Sequence, residues 1–303
     1  MLDFTPITLD KKDLYAPYLH CGSHRGCAYS FVNLYLWGRQ KATITEDQLV
    51  VFSQFDRKSV YLFPSGCSHP APALEAIIHD AKMRGIPCRL VGLSQDDCAL
   101  LERLYPGKLK YHSDRDSFDY VYDINDLADL PGRKFQKKRN HLNRFRQQNP
   151  DHVLEPITAK NLSEVETLVE QWYEARQAAD PHGDFLLERA ALKKALQQMD
   201  KLGLEGLLLR TSQGVVAMTL GSQLSDDTFD IHFEKALDIA DGAYPAINNG
   251  FARYLREKYP HIQFLNREDD LGIDGLRKAK LSYNPHHMVE KSWAHLLEEG
   301  YDY

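Results

Sequence analysis

The 303-residue sequence contains no long apolar run. A membrane-spanning helix needs roughly 18 or more consecutive apolar residues, and every apolar stretch here is interrupted well short of that. The opening segment, Met1 to Asp10, has neither a basic start nor an apolar stretch, so no secretory leader is expected and the cytoplasm is the expected compartment. Cysteine is scarce and odd in number: Cys21, Cys27, Cys67, Cys88 and Cys98, all in the first third. Secreted frameworks usually pair their cysteines, so free thiols are expected. His20, Cys21, His24 and Cys27 offer four zinc donors close together, yet their spacing fits no common zinc pattern, so no metal is expected. Excess charge is also small. A net charge of −6 excludes a protein that coats nucleic acid indiscriminately.

What is present is ordinary in bulk, with 43% hydrophobic and 26% charged residues, the profile of a globular protein long enough for two domains. In the first half, Leu49–Phe55 and Val60–Phe63 read as paired strands across the polar turn Asp56-Arg57-Lys58. A helix over Ala73–Arg84 stops at Gly85, and a buried strand over Cys88–Gly92 follows. Another helix, Gln95–Tyr105, and a strand, Asp119–Asp123, complete an α/β layer structure. Phe31, Leu34, Tyr35 and Trp37 are expected in its core.

Between Pro131 and Pro150 the composition changes. Arg133, Lys134, Lys137, Lys138, Arg139, Arg144 and Arg146 occur there without one acidic residue. On a helix, Phe135, Leu142 and Phe145 share one side, while Lys134, Lys137, Lys138, His141 and Arg144 share another. The expected organisation is therefore an N-terminal lobe over 1–130, a basic linker helix over 131–150, and a C-terminal lobe over 151–303.

The C-terminal lobe reads as two helices, Leu162–Arg176 and Leu186–Leu202, then a three-strand antiparallel meander: Gly206–Thr211, Val215–Gln223 and Thr228–Lys235. A helix over Pro245–Lys258, a strand over Ile262–Asn266, a helix over Asp274–Tyr283 and a strand near Met288–Trp293 follow. This running order is that of a GNAT-type acyltransferase. The predicted fold class is α/β (α+β): two lobes, each a mixed, mostly antiparallel sheet flanked by helices, the second GNAT-like in its running order.

Candidate chemistry concentrates in that lobe. Strict alternation along Thr228–Lys235 puts Asp230, His232 and Glu234 on one side of a central strand. Ionisable groups so placed are costly unless they line a cleft or pair, and a histidine beside a carboxylate suits proton transfer. Tyr244 and Asn248 open the next helix, whose start favours an anion. Acetyl-CoA users of this fold carry a glycine-rich pyrophosphate loop here, but Gly242 stands alone. Asn266, Glu268 and Asp269 lie at a strand end, where ligands gather in α/β structures. Arg277, Lys280 and Tyr283 recur at threes along the following helix and suit an oxyanion. Surface salt bridges account for the same charge pattern.

The strings His232-Phe233-Glu234-Lys235-Ala236, Gly242-Ala243-Tyr244-Pro245-Ala246-Ile247-Asn248 and Asn266 through Pro285 resemble one bacterial family, that of the soluble C-terminal domain of phosphatidylglycerol lysyltransferase. Phe31-Val32-Asn33-Leu34 and Lys137-Lys138-Arg139-Asn140-His141 extend the resemblance over nearly the whole chain. It implies a tandem, Fem-type pair of GNAT folds and transfer of an aminoacyl group from aminoacyl-tRNA to a lipid or peptide acceptor. No tightly bound cofactor is implied, and aminoacyl-tRNA stands ahead of acyl-CoA as donor. His232 with Glu234 would accept the acceptor's proton, and Arg277 with Lys280 would face the oxyanion. Lys137, Lys138 and Arg139, within the Arg133–Arg146 basic helix, would hold tRNA phosphates. Two alternatives remain at this level: a CoA-dependent N-acyltransferase, and a non-catalytic ligand-binding member.

Overall fold

The computed structural model describes residues 1–21, 25–55 and 58–297. His24 and the turn residues Asp56 and Arg57 lie outside the described residues. The described residues form two compact units. The first holds Met1–Asp119, Asp269–Gly272 and the C-terminal segment from Val289; the second holds Tyr120–Glu268 and Ile273–Met288.

The first unit contains strands β1 (Thr5–Pro6), β2 (Gln40–Thr45), β3 (Gln48–Phe55), β4 (Lys58–Leu62), β5 (Arg89–Leu93) and β6 (Leu109–Ser113). Its helices are α1 (Lys12–Cys21), α2 (Phe31–Leu36), α3 (Ala71–Arg84) and α4 (Gln95–Leu104). Gly85, left-handed at φ 65°, ends α3 as its sequence position requires. Val50, Tyr61, Leu74, Ile77 and Leu101 are among the residues that fill the core.

The second unit opens with β7 (Asp119–Asp123), α5 (Ile124–Asp129), α6 (Gln136–Gln148), β8 (Val153–Pro156), α7 (Leu162–Ala179), α8 (Leu186–Gln197) and the short α9 (Met199–Leu202). The meander follows as β9 (Glu205–Thr211), β10 (Gly214–Gln223) and β11 (Thr228–Ala236). Then come α10 (Ala243–Lys258), β12 (Phe264–Asn266), α11 (Asp274–Leu281) and β13 (His287–Val289). The sheet order is β13-β7-β12-β11-β10-β9-β8, with β11 and β12 parallel. The last strand, β14 (Ser292–Leu296), belongs to the first sheet, which runs β1-β2-β3-β4-β5-β14-β6.

Three expectations are corrected here. The divide between units falls at Asp119 rather than at 130, so β7, expected in the N-terminal lobe, opens the second sheet, and the C-terminal β14 joins the first. β7 pairs with β12 in the second sheet, and β14 lies between β5 and β6 in the first. Alternation shows where side chains point but not which sheet a strand joins. The basic segment is no linker either: Phe135, Leu142 and Phe145 are buried in the second unit's core beside Tyr122, Ile247 and Phe251. Finally, Cys21 and Cys67 form a disulfide, their Cα atoms 5.0 Å apart, where free thiols were expected. The end of α1 is tied to this region by the Ser65 hydroxyl, which donates to the Tyr18 carbonyl at 2.7 Å, and the two cysteines, distant in sequence, meet. Cys27 instead donates its thiol to Asp119 at 3.2 Å, and Asp119 also accepts from the Lys291 ammonium at 2.5 Å.

Candidate active site

A single extra residue in β11 organises the site. Phe233 pairs with Leu220 on β10, but Ile231 pairs with the next residue, Gly221, so His232 bulges out of the ladder. A bulge reverses the alternation beyond it. Asp230 and His232 therefore face one side of the sheet, while Glu234 faces the other, towards α10. The expectation that all three share a face is overturned by this register shift. β12 repeats the division: Leu265 joins the α10-side core, Asn266 pairs beside Asp230, and Arg267 turns back towards Glu234.

On the α10 side, the Arg267 guanidinium donates to the Glu234 carboxylate at 2.8 Å, and the Asn248 amide donates to its other oxygen at 3.3 Å. Tyr122 and Tyr283 wall the guanidinium, with ring centroids at 5.7 and 5.2 Å. Burial acts to lower the Arg267 pKa, but Glu234 together with the phenols of Tyr122, Tyr283 and Tyr244 outweighs it and the guanidinium is held above its ordinary value. One of its nitrogens, Nη1, is buried without a hydrogen-bond partner among the described residues. A buried cationic donor left in that state is costly unless a bound group completes it.

α6 contributes the second cation. The Lys138 ammonium sits 3.7 Å from the Tyr283 ring centroid, a close cation–π approach. Burial, followed by the Arg267 charge, pushes its pKa down to about 8, with Glu234 opposing. A lysine so poised gives up its proton near neutral pH. Burial raises the Tyr283 phenol well above its ordinary value, so it remains protonated. Tyr244, near Glu234, accepts from the Trp172 indole at 3.2 Å. Beside that pair, the Lys235 ammonium lies 3.8 Å over the Trp172 ring and 2.7 Å from Glu188.

Of the residues singled out in sequence, Glu234, Tyr244, Asn248, Tyr283 and Lys138 meet in this cluster. The others are distributed differently. His232, Asn266 and Glu268 occupy the opposite face, where the Asn266 side chain accepts the Glu268 N–H at 2.7 Å. Asp269 belongs to the first unit, near Lys291. Lys280 is committed to the backbone: its ammonium donates to the carbonyls of Arg267 at 2.6 Å and Glu268 at 3.2 Å, so its assignment to an oxyanion is corrected. Arg277 is half-buried on α11. Arg139 is likewise committed, donating to the carbonyls of Leu130 and Gly132 behind α5. Lys137 is exposed on α6. Its neighbours Lys134 and Arg144 are paired with Asp126 and Asp241, each at 2.6 Å, so less of the basic helix faces outward as bare charge than its composition suggested.

Arg267, Tyr122 and Trp172 are additions that sequence reasoning missed. Arg267 lies inside the densest polar string, and the β12 alternation would have pointed it towards Glu234 had the bulge been known. Tyr122 and Trp172 carry no local signal.

α6 packs against the start of α10: a Cβ on Gly242, whose φ is +86°, would stand 2.9 Å from the His141 carbonyl and 3.0 Å from Phe145.

Residues 22–295 match the family described as phosphatidylglycerol lysyltransferase, C-terminal. The chain is similar to a crystal structure of a conserved protein of unknown function from Bacteroides thetaiotaomicron VPI-5482. The two are 37% identical, with 98% of this chain and 100% of that one covered and a TM-score of 0.92. L-PGS from Bacillus licheniformis is 15% identical, covering 94% of this chain and 91% of that one, with a TM-score of 0.68. FemX is 10% identical, covering 98% of each chain, with a TM-score of 0.61. At these identities the last two likenesses show the fold alone, two mixed sheets flanked by helices, which agrees with the α/β class expected from the sequence. A curated relative, an uncharacterised protein of Mycoplasmoides gallisepticum, is 24% identical over 179 residues covering 58% of this chain, and the chain spans 55% of that relative's length. No described helix is long and apolar enough to cross a membrane.

Proposed function

This chain belongs to the phosphatidylglycerol lysyltransferase C-terminal family, and on that premise we propose that it is an acyltransferase passing an aminoacyl group from aminoacyl-tRNA to a hydroxyl or amine of a lipid or peptide acceptor. The observation that carries the reading is the largely buried Glu234–Arg267 pair with Lys138 beside it. Acyl transfer needs a base for the incoming nucleophile, a donor for the tetrahedral oxyanion and a proton for the leaving oxygen.

Glu234 takes the acceptor's proton as its oxygen or nitrogen bonds to the aminoacyl carbonyl carbon. Arg267, through Nη1, donates to the negative oxygen that forms. Lys138 supplies a proton to the ribose oxygen as the ester C–O bond breaks, and the proton on Glu234 returns to Lys138 through solvent. Tyr244 and Asn248 hold the geometry around the carboxylate. The lone Gly242 before α10, with α6 packed against it, supports an aminoacyl-tRNA donor over a CoA thioester, because a glycine-rich turn is what grips pyrophosphate.

The test is transfer of labelled amino acid from charged tRNA to a lipid or peptide extract. Label is expected to move with the wild-type protein and to slow by about 10²–10⁴ with Glu234→Gln, the usual worth of a general base. Transfer from CoA thioesters but not from charged tRNA would overturn the reading.

A further inference from the structure

The face of the second sheet opposite α10 holds a group of side chains that the acyl-transfer chemistry does not use. Asp230 and His232 come from β11, and Glu268 lies two residues past β12. His232 Nδ1 is 3.3 Å from Glu268 Oε1 and 3.6 Å from Asp230 Oδ2. One donor atom from each residue falls within 4.8 Å of the other two. Asp230 is wholly buried, and the His232 side chain is 1% exposed. On the other side of the ring, Nε2 is 2.8 Å from the Ser222 hydroxyl of β10.

We propose that Asp230, His232 and Glu268 form a binding site for a divalent first-row transition ion. Two atoms bound to one zinc ion in tetrahedral geometry, at about 2.0–2.2 Å from it, stand about 3.3–3.6 Å apart, and the two separations from Nδ1 span that interval. With Nε2–H donating to Ser222, the Nδ1 lone pair points at the two carboxylates, which is the outer-shell arrangement that orients a metal-binding histidine. One nitrogen and two oxygens, with no thiolate, suit zinc, manganese or iron(II), and three protein donors leave a coordination position for water. The donor set is held in place before any ion arrives. The bulge sets His232, and the left-handed backbone of Glu268, φ 57°, is fixed by Asn266 and by the Lys280 ammonium on its carbonyl.

The test is titration of the full chain, stripped with chelator, with Co²⁺ and then Zn²⁺. One equivalent of Co²⁺ is expected, with the visible absorption of a four- or five-coordinate nitrogen–oxygen site and no thiolate charge-transfer band, and Zn²⁺ should displace it. Glu268→Gln should abolish binding. Ser222→Ala, which removes only the group behind the ring, should weaken it by about 10–100-fold. No binding by the wild type, a thiolate band, or unchanged binding in folded Glu268→Gln protein would overturn the site and leave a proton between His232 and Glu268 in its place. Loss of the metal site would leave the Glu234 reading standing, because the two groups lie on opposite faces and are read by separate assays.

Discussion

On the α10 face of the second sheet, one carboxylate, Glu234, meets two cations, Arg267 and Lys138, between tyrosine rings. On the opposite face, two carboxylates, Asp230 and Glu268, meet one imidazole. β11 and the two residues that follow β12 contribute to both groups, α6 adds Lys138 to the first, and the bulge at His232 decides which β11 residue goes where. The comparison teaches that charge sign, more than residue type, separates the faces. The cation-rich side suits a developing oxyanion, and the carboxylate-rich side suits a proton or a metal ion.

The sharpest way to break this contrast is to remove Arg267. Arg267→Met leaves the largely buried Glu234 without its hydrogen-bonded countercharge, with only Lys138 nearby, and urea unfolding should show a loss of about 3 kcal/mol. An unchanged midpoint would mean that the pair is solvated and the cluster open to water.

The packing of α6 on the start of α10 comes next. Gly242→Ala meets both a forbidding φ and the His141 carbonyl, and should cost about 1–3 kcal/mol in the same measurement. A neutral result would mean that the turn relaxes, weakening the case against a CoA donor.

Lys138 adds a pH signature. Its value in the folded protein, about 8, lies below the ordinary 10.5, so the unfolded chain holds that proton more tightly. The resulting penalty is complete below pH 8 and is relieved as pH rises from 8 towards 10.5, so wild-type stability should rise over that window relative to Lys138→Met. Transfer should fall through pH 8 as Lys138 loses the proton it supplies, and Lys138→Met should be slower without that fall. Identical profiles for the two proteins would remove Lys138 from the chemistry.

The smallest effect is expected at the exposed edge of α6. Lys137→Ala should leave stability within about 0.5 kcal/mol. If this helix touches tRNA phosphates, the salt dependence of tRNA binding should lose about one unit of slope. An unchanged slope would place the RNA elsewhere.

Much of the fold was legible in the sequence because it rests on local periodicity and turn chemistry. α3 stops at Gly85, β7 runs Asp119–Asp123 as read, and the meander's three strands shift by only a residue at their ends. The exchange of β7 and β14 between sheets was not legible, because pairing partners are set by contacts far apart in sequence. The site was half legible. Glu234, Tyr244, Asn248 and Tyr283 carry the family strings, but the bulge leaves no mark in a strand that alternates so cleanly, and His232 was assigned to the wrong company. Lys138 was read as one of several surface charges, whereas Tyr283 draws it inward. Lys280 and Arg139 show the converse error, cations that sequence assigns to ligands and the fold spends on its own carbonyls.

The most direct test sets the two faces against each other in one assay, with aminoacyl transfer from charged tRNA measured for Glu234→Gln and His232→Gln side by side. The account predicts that Glu234→Gln is slowed by about 10²–10⁴ while folded His232→Gln keeps most of its rate. Full activity in Glu234→Gln together with loss in folded His232→Gln would contradict it and move the chemistry to the other side of the sheet.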